Sequence, residues 1–217
     1  MTEPATLKAP EVFKDESHRV VLQGVSWQTY QALLNELGDH RASRLAYGDG
    51  VLEITMPSDR HETNTKLLER MIETLTEELD LPIKGFRSTT LNRADLRQGA
   101  EPDSCYYIQS VDRIQGRTID LSRDPAPDLV LEVDITSPST RKLGIYQQLE
   151  VPEVWRYVGQ QVKVLQLQSG EYVPCDFSPT FSFVSTAILN QFLQQAQTQD
   201  DTALVQSWRK WVREQIG

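Results

Sequence analysis

Apolar residues along the chain alternate between helical and strand spacing once a polar opening is passed. Residues 1–25 show little periodicity beyond a short strand-like run at Arg19–Leu22. From Ser26, a suitable N-cap, the apolar positions Trp27, Tyr30, Leu33, Leu34 and Leu37 recur at helical spacing, and Gly38 follows as a C′ residue. Arg44–Tyr47 and Val51–Met56 have strand character, and Gly48-Asp49-Gly50 between them predicts a hairpin turn. The clearest helix comes next. Asp59 and Glu62 form a capping-box pattern, Leu68, Ile72, Leu75 and Leu79 make the apolar stripe, and Pro82 stops it. His61 and Thr65 continue that stripe backwards, so His61 is expected to face the body of the protein or whatever sits at the helix's N-terminal end.

Further strands are predicted at Ile83–Leu91 and Pro102–Ile108 with a polar stretch between them, and residues 109–126 read as a connection with room for one short strand. Leu129–Ile135 is a strong strand. Ser137-Pro138-Ser139-Thr140 is a turn that caps a short helix over Arg141–Leu149, ended by Pro152. Val154–Tyr157 and Val162–Leu167 form a hairpin around Gly159, with Tyr172–Val173 as an addition, and helical patterns cover Ser185–Gln195 and Thr202–Gln215. The order predicts one α/β core with a helical C-terminal extension. Its expected division is an N-terminal arm at 1–25, the core at 26–180, and an extension at 181–217 packed on it.

Composition narrows the class. The 217 residues are 39% hydrophobic and 24% charged, enough to build a packed core. No run approaches the roughly 20 apolar residues of a membrane span, and the opening lacks an apolar stretch of signal-peptide type. Two cysteines, Cys105 and Cys175, imply neither a disulfide framework nor a cysteine zinc site. A cytoplasmic protein without membrane contact is expected. The balance of 22 basic against 31 acidic residues, formally −9, argues against a protein that coats nucleic acid through bulk positive charge. It leaves room for a metal-dependent enzyme, whose clustered carboxylates themselves add negative charge.

Candidate chemistry centres on Asp128–Thr136. Alternation along the strand puts Leu129, Leu131, Val133 and Ile135 on one face and Glu132 with Asp134 on the other, about 7 Å apart. Two readings stand for the acidic face: contact with water, as on many antiparallel sheets, or a divalent-cation site that needs a carboxylate from elsewhere. Asp103, in Glu101-Pro102-Asp103 at the start of another strand, is such a carboxylate. Lys142, in the first turn of the following helix, opposes the helix dipole there, so helix stability does not explain its position. Crowding of the carboxylates also suggests that removing one would relieve repulsion and slightly stabilise the cation-free fold.

The ordered set Pro102-Asp103, PDLVLEVDITSPST at 127–140, Lys142, Tyr146 and VPEVWRY at 151–157 resembles the PD-(D/E)XK nuclease superfamily. Within it, the chain is similar to the bacterial Uma-two group of restriction-endonuclease-like proteins, abundant in cyanobacteria. YGDGVLEITMPS at 47–58 and His61-Glu62 carry the resemblance further, so that it spans about 45–165. It implies a restriction-endonuclease-like core, a central mixed β-sheet flanked by helices. It also implies Mg²⁺- or Mn²⁺-dependent cleavage of phosphodiester bonds in nucleic acid, with DNA the expected substrate. Asp103 and Glu132 take the metal-binding acidic positions, and Lys142 is the catalytic lysine. The strict motif places that lysine two residues after Glu132, where this chain has Asp134, so Asp134 competes with Glu132 for the ligand role. Glu62 and His61 are possible further members, although helix capping already accounts for Glu62. Tyr146, Trp155 and Tyr157 are expected in the core.

Two functions follow. One is an endonuclease, expected as a homodimer because two sites about a twofold axis suit a duplex. The other is a catalytically silent protein that uses the same scaffold for binding or assembly. The acidic balance and the displaced lysine favour the second; the ordered Asp–Glu–Lys set favours the first.

Overall fold

The computed structural model describes residues 18–38, 42–87, 89–114, 119–134 and 140–217. Its elements form two sheets with five helices. The first sheet is antiparallel and orders β1 (His18–Gln23), β3 (Val51–Met56), β2 (Arg44–Gly48), β6 (Gln98–Ala100) and β5 (Leu91–Arg93). Asp49 and Gly50, both at positive φ, close the β2–β3 hairpin in two residues, the geometry that matches strand twist. Helix α1 (Trp27–Leu37) begins at Ser26, whose side chain accepts from the Thr29 N–H, and ends at Gly38. It covers the sheet through Tyr30, which packs with Leu45, Tyr47 and Leu52.

The second sheet is mixed and holds the candidate chemistry. Its order is β11 (Glu171–Cys175), β10 (Gln161–Gln168), β9 (Glu153–Val158), β8 (Leu129–Asp134), β7 (Ser104–Tyr107) and β4 (Lys84–Arg87). Only β8 and β9 run parallel, so their connection must cross a face of the sheet, and α3 (Thr140–Gln148) makes that crossing. On the opposite face, α2 (Asp59–Glu78), α4 (Thr186–Gln195) and α5 (Asp201–Ile216) pack together. Strand β8 alternates between the layers. Leu129, Leu131 and Val133 join Leu68, Met71 and Trp208, whereas Val130 joins Ile145 and Tyr146 of α3. This is the restriction-endonuclease-like α/β core, with the helical C-terminal segment on the α2 layer.

Several local expectations shift. The N-cap of α2 is Ser58, accepting from the His61 N–H at 3.3 Å, one residue earlier than an Asp59 capping box. The run Ile83–Leu91 does not form one strand: β4 joins the second sheet, and β5 starts at Leu91 in the first. The polar stretch after it supplies β6, a strand with no apolar alternation to announce it. Among the described residues of 109–126 there is a 3-10 turn at Val111–Arg113 and no strand. Ile135 and the 137–139 part of the predicted turn lie outside the described residues.

Helix α5 is fixed at its centre by Trp208, fully buried, whose Nε1 donates to the Met71 carbonyl of α2 at 3.0 Å. Arg209 and Arg213 add ion pairs to Glu77 and Glu78 along the seam. Trp208→Ala is expected to cost about 3–5 kcal/mol from lost burial and an unfilled cavity. A urea unfolding midpoint within error of wild type would show that α5 is peripheral to the core.

Candidate active site

Antiparallel pairing of β7 with β8 sets Ser104 opposite Leu131, and one step further out places Asp103 opposite Glu132. The two carboxylates therefore come from neighbouring strands at one end of the sheet, where the α2 and α3 layers meet. Asp103 is 2% exposed; its Oδ2 accepts from the Val133 N–H at 2.7 Å and lies 3.0 Å from His61 Nε2. His61 reaches it from the first turn of α2, so the backward extension of that helix's stripe is correct. Glu132 is 3% exposed and sits on the α3 face. Lys142 Nζ donates to both of its oxygens, at 2.9 and 3.2 Å, and to the Glu101 carbonyl at 3.1 Å. The Tyr146 hydroxyl, one turn along α3, also donates to Glu132.

Water does not cover Glu132. The solvent-facing alternative fails because β8 is a central strand with helices on both sides, and α3 lies over Glu132. Asp134 shares the face but not the cluster. Its Oδ2 pairs with Arg156 Nε of β9 at 2.7 Å. Glu62 is half-exposed and pairs with Arg87 of β4 at 3.2 Å, while its carboxylate stays 3.6 Å from His61 Nδ1. Both residues are thus directed to arginines, which weakens their case as additional ligands.

Each charge in the cluster answers to its neighbours. Burial works to raise the Asp103 carboxyl, but the His61 hydrogen bond and the nearby Lys142 charge outweigh it and hold the group below its ordinary range. For Glu132 burial prevails: with Asp103 and Asp134 adding negative charge, its carboxyl is pushed up to about 7 against the pull of Lys142. Burial would lower the Lys142 ammonium, yet Glu132 and Asp103 raise it, so it stays protonated. His61 behaves alike: burial opposes its charge, and Asp103 more than restores it.

Sequence reasoning missed three contributors. Tyr146 is core by burial, but it lies four residues after Lys142 on α3, a spacing that puts both on one helical face. That spacing could have revealed the shared hold on Glu132. Glu101 gives no such sign. Its carboxylate accepts from the Leu45 N–H at 2.7 Å and Thr90 Oγ1 at 2.9 Å, tying the first sheet to the residue whose carbonyl receives Lys142. Glu69, about two helical turns beyond His61, accepts from Ser104 Oγ and pairs with Arg87 at 2.9 Å.

The donor chemistry fits a hard divalent cation. Among the described residues no group of three or more His, Cys, Asp or Glu side chains is arranged to hold a metal. Two carboxylates are nevertheless a suitable set for Mg²⁺, which keeps several waters and takes further oxygens from a phosphate. His61 Nδ1, buried without a hydrogen bond among the described residues, shows that the polar lining is not fully satisfied.

The model of the Uma2 family, described as "Putative restriction endonuclease", matches residues 27–213. The chain belongs to the Uma2 family. The match reaches well beyond the 45–165 span of the motifs and takes in α1, α4 and α5. No curated protein matches the chain. The Uma2 assignment supports a restriction-endonuclease-like protein, and no helix among the described residues is long and apolar enough to cross a membrane.

Two expectations follow from the cluster. Asp103→Ala, judged from repulsion alone, would stabilise the fold; its bonds to His61 and the Val133 N–H reverse that sign. Lys142→Ala leaves Glu132 buried without its cation and should destabilise by about 3–5 kcal/mol, whereas the Glu132→Gln/Lys142→Met pair should recover much of it. Urea denaturation of single and double variants measures this coupling; additive losses would refute it. Stability of the cation-free protein should also depend on pH. Glu132 and His61 both bind protons more tightly when folded, so their contribution is complete below their unfolded values, near 4.5 and 6.5, and is lost as pH rises through the folded ones. Melting in EDTA should fall by several degrees between pH 5 and pH 8, and Glu132→Gln should flatten the profile. A rising profile would contradict the assignment.

Proposed function

We propose that the protein is a Mg²⁺- or Mn²⁺-dependent endonuclease, hydrolysing phosphodiester bonds of nucleic acid, with DNA the expected substrate, at Asp103, Glu132 and Lys142. The observation that carries this reading is the contact of Lys142 Nζ with Glu132 at 2.9 Å, directly across the strand pair from Asp103. Lys142 comes from the helix after β8, whereas the strict motif takes its lysine from the strand itself. The strand position holds Asp134, which pairs with Arg156.

Asp103 and Glu132 would hold the cation, which when bound polarises the scissile phosphate and lowers the pKa of a bound water. Lys142 stays cationic with its three N–H groups on the two Glu132 oxygens and the Glu101 carbonyl, and a cation drawing on Glu132 would release one of them to steady the water or meet charge developing on phosphoryl oxygens. His61 orients Asp103 through Nε2. Val133 donates its backbone N–H to the same carboxylate, fixing one oxygen and constraining the other. A twofold homodimer would present two such sites to a duplex, and a cytoplasmic location would give access to it.

The second reading, a silent nuclease scaffold for binding or assembly, has its own support. Asp103 and Glu132 already find protein donors in His61, Val133, Lys142 and Tyr146. Cation binding separates the two. Millimolar Mg²⁺ or Mn²⁺ should raise the melting temperature of the wild type, more at pH 8 than at pH 5.5, because protons compete for Glu132. Under the same conditions a labelled DNA duplex should be cut, and Asp103→Ala or Glu132→Ala should abolish both effects. Lys142→Met should lose cleavage by about 10²–10³ while keeping the cation-induced shift. No shift and no cleavage by the wild type would leave the scaffold reading in place.

A further inference from the structure

Beside the acidic cluster, the first turn of α2 faces the tight β9–β10 turn at Gly159 and Gln160. Two cavities open there, of about 190 and 370 Å³, and share Arg60, Tyr157 and Gln160 as walls. The smaller reaches Asp134, the last residue of β8 and two beyond Glu132. The larger continues past Asn64 to Gln197, after the C-terminal end of α4. Their shared walls make them one cleft, whose inner end is bounded by Asp134, two residues from Glu132, and by Arg60, next to His61.

Its charge pattern is uneven in an informative way. Arg60 precedes His61, is exposed, and makes no ion pair among the described residues, whereas Arg87, Arg156, Arg209 and Arg213 all hold carboxylates. The carboxylate on the inner wall, Asp134, is neutralised by Arg156 at 2.7 Å. Asp201, at the start of α5, is the other acidic wall residue. The Tyr157 hydroxyl has no hydrogen-bond acceptor among the described residues, and the amide of Gln160 is carried on a turn that holds it out at positive φ. Asn64 Nδ2 already donates to the Arg60 carbonyl at 3.0 Å, which leaves the Arg60 guanidinium, the Tyr157 phenol and the Gln160 amide as donors without a protein acceptor among the described residues. The anionic diester groups of a nucleic-acid strand are acceptors only, and contacts of this kind position a strand without reading its sequence.

We propose that this cleft binds the sugar–phosphate backbone of the strand leading away from the candidate active site, with one phosphate on Arg60 and Tyr157 and Gln160 donating beside it. The proposal rests on the endonuclease reading and adds to it the surface that would hold substrate next to the scissile bond. It also resolves how a chain of net charge −9 can engage a polyanion. One unpaired arginine among neutral donors, beside an Asp134 already paired with Arg156 and with Asp201 confined to the far cavity, provides a local site that overall charge does not describe.

The test is binding of a fluorescein-labelled duplex to the full chain in EDTA, followed by anisotropy across a salt titration. Arg60→Ala should weaken binding about tenfold at 0.1 M salt and reduce the slope of log K against log salt by about 0.9, one phosphate contact. The loss should be the same for unrelated sequences, Arg60→Lys should restore most of it, and the melting temperature should not move. Wild-type affinity and slope in Arg60→Ala would overturn the proposal, as would a wild type that binds no nucleic acid. Asp103→Ala in the same assay keeps the two readings apart. Binding through Arg60 without cation-dependent cleavage removes the endonuclease reading and leaves the cleft. Cleavage that is indifferent to Arg60 removes the cleft and leaves the endonuclease.

Discussion

A carboxylate on the covered face of a central strand is costly unless a cation or hydrogen-bond donors meet it, and Glu132 is in that position. The surrounding structure is arranged around this demand. Strand β8 must lie between two layers because Leu129, Leu131 and Val133 are apolar on one face and Val130 on the other, and this leaves Glu132 beneath α3. Helix α3 in turn brings Lys142 and Tyr146 to the same carboxylate from successive turns. The parallel step from β8 to β9 is what requires a crossover, so the topology that buries the acid also supplies its partner.

Asp103 is resolved from the opposite layer. It lies just before β7, where the chain enters the ladder, and His61 of α2 meets it. One acid is thus held by the α3 layer and its neighbour by the α2 layer, and the strand ends between them form the floor. Glu101 joins the first sheet to this floor by accepting from Leu45 and presenting its carbonyl to Lys142. The smaller sheet consequently has a structural share in the site although it places no candidate catalytic side chain there.

Legibility in the sequence followed the strength of local signals. Helices with caps and apolar stripes, α1, α2, α4 and α5, could be read to within a few residues, as could the β2–β3 and β9–β10 hairpins with their glycine turns. β5 and β6 could not. Each is three residues long and exists because pairing in the first sheet accepts it, a tertiary cause that leaves no period in the sequence. The same division holds at the site. Asp103, Glu132 and Lys142 could be named from motif order, and the alternation along β8 correctly separated its apolar and acidic faces. What that alternation could not say is whether the acidic face meets water, because this depends on a helix arriving from later in the chain. Nor could it show that Arg156 takes Asp134 away from the cluster, since the two are joined only through the parallel pairing of β8 with β9.

That last pairing explains why the lysine can sit on the helix. A lysine two residues after Glu132 would point to the same face at the strand end, the position that Asp134 holds and to which Arg156, opposite Glu132 in the ladder, extends its guanidinium. With Asp134 in its place, the strand contributes a negative charge, and Arg156 balances it locally instead of adding to the positive charge near Glu132. The cation that Glu132 needs must then come from another element, and α3 is the one packed over it. The Asp134–Arg156 pair therefore leaves Lys142 to neutralise Glu132, so that the two carboxylates on this face each have their own cation.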